Sequence, residues 1–268
     1  MKHYKIMLFF WLALPACVLL RMLELCFTVD TATGFFLREY RTVGLCLLIL
    51  IFVFCAVAVL LSFASHRNPE KPPVRSLWLA IASFLVGGLT AYELFTESFA
   101  GTVLPWQLAL LGITGVAAVL FFFAYGVSLL GLLHLPPLAA VLPPLYLIVK
   151  IICTFTAVSS LALISDNILL LAAYCVSLLF FLSFGKLQND LDTEKNFKKL
   201  LAWGLSGALL CTTQGLSHVL FYLGTGGTYR HTSLSANLSL LGMGIFALVF
   251  TLTHFSAKNA AVTTHADP

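Results

Sequence analysis

Eight stretches of this chain are long and apolar enough to cross a lipid bilayer, and they leave little room for anything else. A helix needs about 20 mostly apolar residues to cross roughly 30 Å of hydrocarbon. The stretches run near 6–29, 43–65, 76–99, 104–133, 138–164, 168–185, 200–223 and 234–255. Only 10% of the 268 residues are charged, against about 25% in a soluble domain. So few ionic groups cannot cover a soluble surface of this size, and disorder requires low hydrophobicity with high charge. The expected fold is all-α: a single integral-membrane helical bundle over residues 1–268, with about eight spans and no soluble domain.

Basic residues orient the bundle. With the N-terminus in the cytoplasm, inside segments hold Lys2, Lys5, Arg67, Lys71, Arg75, Lys186, Lys195, Lys198, Lys199 and Lys258. The outside loops hold Arg38, Arg41 and Arg230. This bias predicts cytoplasmic N- and C-termini, in the cell membrane. The net charge of +4 is what the loop bias produces by itself, so nothing points to nucleic acid. The lipid bilayer is the expected partner.

Several local features constrain the helices. The fourth stretch is too long for a straight crossing and is expected to tilt or bend near Gly112, Gly115 or Gly126. A doubled Leu-Pro-Pro-Leu (135–138 and 142–145) suits a stiff hairpin or re-entrant turn before the fifth. Small residues at four-residue spacing, Ser83-Gly87-Ala91, Gly204-Ala208 and Gly207-Cys211-Gly215, let backbones approach closely. They predict a compact bundle with the third and seventh helices in the middle. Leu14-Pro15-Ala16-Cys17 loosely resembles a lipoprotein cleavage box, but apolar residues follow it. An uncleaved first helix kinked at Pro15 is the expectation.

Known catalytic and metal patterns are absent or incomplete. The seven cysteines lie inside apolar runs without a CxxC, so they read as small packing residues rather than metal ligands or disulfides. Asp190, Asp192 and Glu194 alternate like the start of a calcium loop, yet Lys195 stands where the turn glycine is needed. Gly204-Leu205-Ser206-Gly207 matches the GxSG string of rhomboid-type intramembrane proteases, with His254 as the available later histidine. The histidine–asparagine oxyanion partners of that family are missing, and Ser206 reads as a packing residue. There is no HExxH and no phosphate loop. No cofactor, no metal and no catalytic residue are expected.

The informative residues are those that lipid makes expensive. Arg21 and Glu24 lie on the first helix, with Thr28 a turn further on. Thr90, Glu93 and Glu97 form a stripe on the third, Lys150 lies on the fifth, and Gln214 and His218 lie on the seventh. Gln107 opens the fourth helix and Asp166 lies in the turn before the sixth. The orientation above puts most of them at one level, in the outer halves of their helices. The expectation is a polar, wet, outward-facing cavity formed by helices 1, 3, 5 and 7, with Arg21, Glu24, Glu93, Glu97, Lys150, Gln214 and His218 as ligand-binding residues.

Lys150 admits two placements. If its helix starts at Leu138, Lys150 lies about 18 Å in and needs a carboxylate, with Glu93 nearest by depth. If Pro143-Pro144 delays the start to Leu145, it lies about 8 Å in and reaches the cytoplasmic surface. Two functions follow from the set. One is binding or transport of a small solute, cationic or coupled to protons. The other is a non-catalytic membrane subunit or sensor, whose polar residues hold the bundle or dock a membrane-protein partner or a second copy.

Overall fold

The computed structural model describes residues 3–30, 34–64, 76–100, 105–158, 165–189, 191, 193–225 and 233–263. Among them are eight α-helices: α1 His3–Phe27, α2 Arg41–Phe63, α3 Leu77–Ala100, α4 Pro105–Leu129, α5 Leu142–Val158, α6 Ser165–Gln188, α7 Thr193–Thr225 and α8 Leu234–Thr263. No strand occurs among the described residues; a lone antiparallel bridge joins Val29 to Phe36 in the α1–α2 connection. The loop residues Lys2, Arg67, Lys71, Arg75, Asp190, Asp192, Gly226, Gly227 and Arg230 lie outside the described residues.

Seven helices are long and apolar enough to cross a membrane, one fewer than expected. The exception is α7. It packs against α1, α2, α6 and α8, and it buries Ser206, Thr212, Thr213, Gln214, Ser217 and His218. Protein surrounds these side chains, so α7 can be more polar than its neighbours without presenting polar groups to lipid. A hydropathy criterion alone misses such a helix.

The small-residue stripes act as contact faces, but not all where expected. On α3, Ser83 Oγ donates to the Phe122 carbonyl of α4 at 2.6 Å, and a Cβ on Gly87 would touch Phe122 and Phe123. Thr90 Oγ1 lies 3.2 Å from Ser239 Oγ of α8. α3 therefore leans on α4 and α8, and only α7 sits where a centre was expected for both. The α7 stripe receives helices on two sides. Gly204 faces Thr251 of α8 and Phe180 of α6, while Gly215 lies against the Asn237 carbonyl and Leu241. Four cysteines, 17, 55, 153 and 211, are packed inside, whereas Cys26, Cys46 and Cys175 lie on the outer surface of the bundle.

The fourth and fifth helices correct the proposed boundaries. α4 stops at Leu129 instead of bending. Gly131 ends it with φ of 82°, its N–H bonded to Ser128 O at 2.9 Å and that of Leu132 to Val127 O at 3.3 Å. That paired pattern closes a helix on a left-handed residue, which glycine adopts without steric cost. A 3-10 turn, Pro137–Val141, then leads into α5 at Leu142. Pro143 and Pro144 sit in the first turn of α5, where the missing N–H groups have no helical partner anyway. The 3-10 turn runs beside the end of α6, with Asn189 Nδ2 donating to Pro137 O at 3.2 Å and Gly185 near the Ala140 carbonyl. The span is thus continuous from Pro137 to Thr156, and Lys150 is deep within it.

The bundle has an aromatic half and an ionic half. Phe121, Phe122 and Tyr125 of α4 meet Phe181, Phe184 and Phe246 through ring contacts 5.4–6.3 Å between centroids. Such rings supply dispersion and edge-to-face contacts, which matter where lipid tails remove the hydrophobic drive between helices. Ionic side chains collect toward the other end, where odd-numbered helices finish and even-numbered ones begin.

Glycine contacts supply a test of the packing. A Cβ on Gly215 would lie 2.6 Å from the Asn237 carbonyl oxygen and 2.7 Å from Leu241 Cβ, whereas one on Gly112 meets nothing within 4 Å. Gly215→Ala is expected to cost about 1–3 kcal/mol by forcing α7 from α8, and Gly112→Ala to cost nothing. Thermal unfolding of the purified protein in detergent checks this; equal melting temperatures for the two variants would contradict the α7–α8 packing.

Candidate functional site: two buried ionic networks

The seven residues singled out by their cost in lipid do not share one pocket. They divide between two networks, and two further residues complete them.

The first network joins α1, α6 and α7. Arg21 and Glu24 are one turn apart on α1, so their side chains meet on one face, with Arg21 Nη1 2.7 Å from Glu24 Oε2. Arg21 Nη2 also bonds Asp166 Oδ1 in the first turn of α6. His218 Nε2–H of α7 donates to the same oxygen at 3.0 Å. Arg21, Glu24 and Asp166 are 0% exposed, so this charge is stabilised by pairing and not by bulk water. The guanidinium suits the position because its planar fork serves two carboxylates at once. Ser217 Oγ, beside His218, reaches the Val18 carbonyl at 3.5 Å and ties α7 to α1 at this level.

The second network joins α3 and α5. Glu93 and Glu97 are four residues apart on one face of α3. Lys150 Nζ lies 2.9 Å from Glu93 Oε1 and donates to Glu97 Oε1 at 2.5 Å. Tyr146 Oη–H, one turn before Lys150, donates to Glu93 Oε2 at 3.2 Å. Of the two alternatives for Lys150, the deep ion pair with Glu93 is the one found, and it gains Glu97 as well. The carboxylates differ in access: the Glu93 side chain is 1% exposed and that of Glu97 19%. Nearby, Gln107 Nε2 donates to Thr156 Oγ1 at 2.8 Å, joining the start of α4 to the end of α5.

Gln214 belongs to neither network. It is fully buried on α7, one turn before His218, and neither its Nε2 nor its Oε1 has a hydrogen-bond partner. Ser206 Oγ donates to the Ala202 carbonyl of its own helix at 2.7 Å, as a packing serine does. Among the described residues no three His, Cys, Asp or Glu side chains form a metal-binding group. A cleft of about 100 Å³ opens at the opposite end, lined by Phe121, Tyr125, Pro136 and Gln188, away from every charged residue named above.

The residues not chosen from sequence are Asp166 and Tyr146. Asp166 reads as a loop acid because it follows an unresolved boundary between two apolar runs; its value as an early α6 residue emerges only once α6 lies between α1 and α7. Tyr146 carries a readable signal, since it is one turn from Lys150 on the same helix face. No family model, no curated protein and no solved structure matches this chain.

The pairing gives a quantitative expectation. Removing one partner of a buried ion pair costs about 3–5 kcal/mol, because the remaining charge is stranded. Arg21→Met is expected to lose stability by that amount, and adding Glu24→Gln with Asp166→Asn to recover most of it. Unfolding curves in lipid nanodiscs measure both; a cost below about 1 kcal/mol for Arg21→Met would mean that water reaches the network.

Proposed function

We propose that this chain is a single-domain integral protein of the cell membrane, with both termini cytoplasmic, that binds or moves a small cationic or proton-coupled solute. The observation that carries the reading is the Glu93–Glu97–Lys150 triad, in which two carboxylates share one ammonium. An unbalanced negative charge in a dry interior is costly. A proton or a small cation is the species that balances it. Glu97, the more exposed carboxylate, is the entry point, and Glu93 the inner acceptor. Arg21, Glu24, Asp166 and His218 make a second set of the same kind, and Gln214 lies beside it on α7.

Membrane insertion has independent support. The outward surface of the bundle is apolar, with Leu12, Leu60, Ile113 and Leu120 each exposed. Trp78 opens α3 and Trp106 opens α4, both exposed, and a tryptophan at each end of adjacent antiparallel spans suits the two interfacial layers. Placed by the charge bias of the loops, the ionic half faces outward.

A second reading is favoured by the closure of the pairs. Every acid of the two networks has a basic partner, so the residues also cross-link α1, α6, α7 and α3, α5. In that reading the protein is a membrane subunit or sensor that docks another membrane protein or a second copy, and the charges serve only its stability.

Charge balance separates the two. With the triad as a proton or cation site, the melting temperature of the wild-type protein falls as pH rises in a buffer free of small metal cations. Glu97→Gln leaves one acid for one base and flattens that dependence. Equal pH profiles for both proteins would leave only the cross-linking role. Orientation is checked by fusions after Pro268: green fluorescent protein is expected to fluoresce there and alkaline phosphatase to stay inactive. The reverse result would overturn the inward placement of the C-terminus.

A further inference from the structure

The unpartnered amide of Gln214 lies between the two ionic networks, and its surroundings say what would satisfy it. Cys211, Gln214 and His218 follow one another at spacings of three and four, so they form one stripe of α7. That stripe faces α6. Cys211 Sγ lies 3.0 Å from Ser177 Oγ, and His218 Nε2 lies 3.0 Å from Asp166 Oδ1. Antiparallel packing then sets Gln214 against the turn of α6 around Leu169, Leu170 and Ala173, which carries no polar side chain to meet it.

Titratable groups approach this gap from both sides. On one side Tyr174 of α6 lies within electrostatic range of Glu93, Glu97, Lys150 and Cys211, and Tyr146 within range of Tyr174. Cys153 of α5 lies within range of Lys150 and Glu97. On the other side stand His218, Asp166, Arg21 and Glu24. The chain of polar groups is continuous in residue order except at Gln214, and Gln214 is the member with an unused donor and an unused acceptor.

We infer that Gln214 holds an ordered water, or a short file of waters, that joins the Glu93–Glu97–Lys150 triad to the His218–Asp166–Arg21 network as one proton path. Buried polar groups without a protein partner are commonly satisfied by internal water, and water needs two or more polar partners to stay. The amide provides both kinds: Nε2–H donates to the water oxygen, and Oε1 accepts a water O–H. A proton leaving a carboxyl of the triad passes to the water oxygen, which releases a different proton toward the His218–Asp166 pair. One proton leaves the triad for each that arrives, and the amide itself is unchanged. Gln214 is thus a positioning residue for the path. This rests on the reading of the triad as a proton site.

The test uses the full chain in lipid nanodiscs and infrared difference spectroscopy across a pH titration, reading the carboxyl C=O band. The band is expected in the wild type and lost in Glu97→Gln. Asp166→Asn is then expected to move the midpoint of the triad band by about half a pH unit or more, about threefold in proton affinity. Gln214→Leu is expected to abolish that shift, and Gln214→Met, closer in shape, repeats the arm if the leucine variant does not fold. Exchange into heavy water adds a readout on the wild type: a buried-water O–D band that both variants lose. A triad band that ignores Asp166→Asn overturns the path while leaving the triad as a proton site. A shift that persists without the Gln214 amide also overturns the path. A wild-type protein with no titrating carboxyl band overturns both.

Discussion

An ionised side chain withdrawn from water must find its opposite, and in this bundle that requirement brings five helices together. Arg21 supplies a guanidinium to acids on two helices, and Lys150 supplies an ammonium to two acids on one. The local pair Arg21–Glu24 could exist on an isolated α1, but Asp166 and His218 can reach it only when α6 and α7 are in place. The Lys150 contacts likewise need α3 and α5 side by side at matched depth. Ionic pairing therefore sets register between helices, whereas apolar faces alone would tolerate sliding.

The rest of the chain is arranged around this constraint. One half of the bundle is filled by interlocking rings from α4, α6 and α8, where no charge has to be satisfied. The other half holds the acids and bases. α7 passes through both and is shielded by its neighbours, so it can carry serines, threonines, Gln214 and His218 where lipid-facing helices cannot. Close approach at Gly204 and Gly215 is what lets that shielding form.

Both networks carry more acid than base when His218 is neutral. That imbalance separates them from ion pairs that merely hold helices together, which need no surplus. It also accounts for the difference in access between Glu97 and Glu93, since a site that exchanges a proton or cation needs one member open and one enclosed. The unsatisfied amide of Gln214 is a similar departure from what stability alone would select.

Much of this was legible before any coordinates. Spans about 20 residues long, the cost of charge in lipid and the stripe spacing of Glu93 with Glu97 identified helices, and then residues, because those rules act along a single helix. The two placements of Lys150 stayed open, since a pair of prolines fits the first turn of a helix as well as it delays one. Division of the polar set into two networks was not legible, nor was the membership of Asp166, because sequence specifies depth along a helix but not which way its neighbour lies. The sequence by itself determined a helical, lipid-compatible bundle and the residues that such a bundle can bury only at a cost. The tertiary structure decided which of them meet, because pairing depends on the rotation and adjacency of helices far apart in the chain.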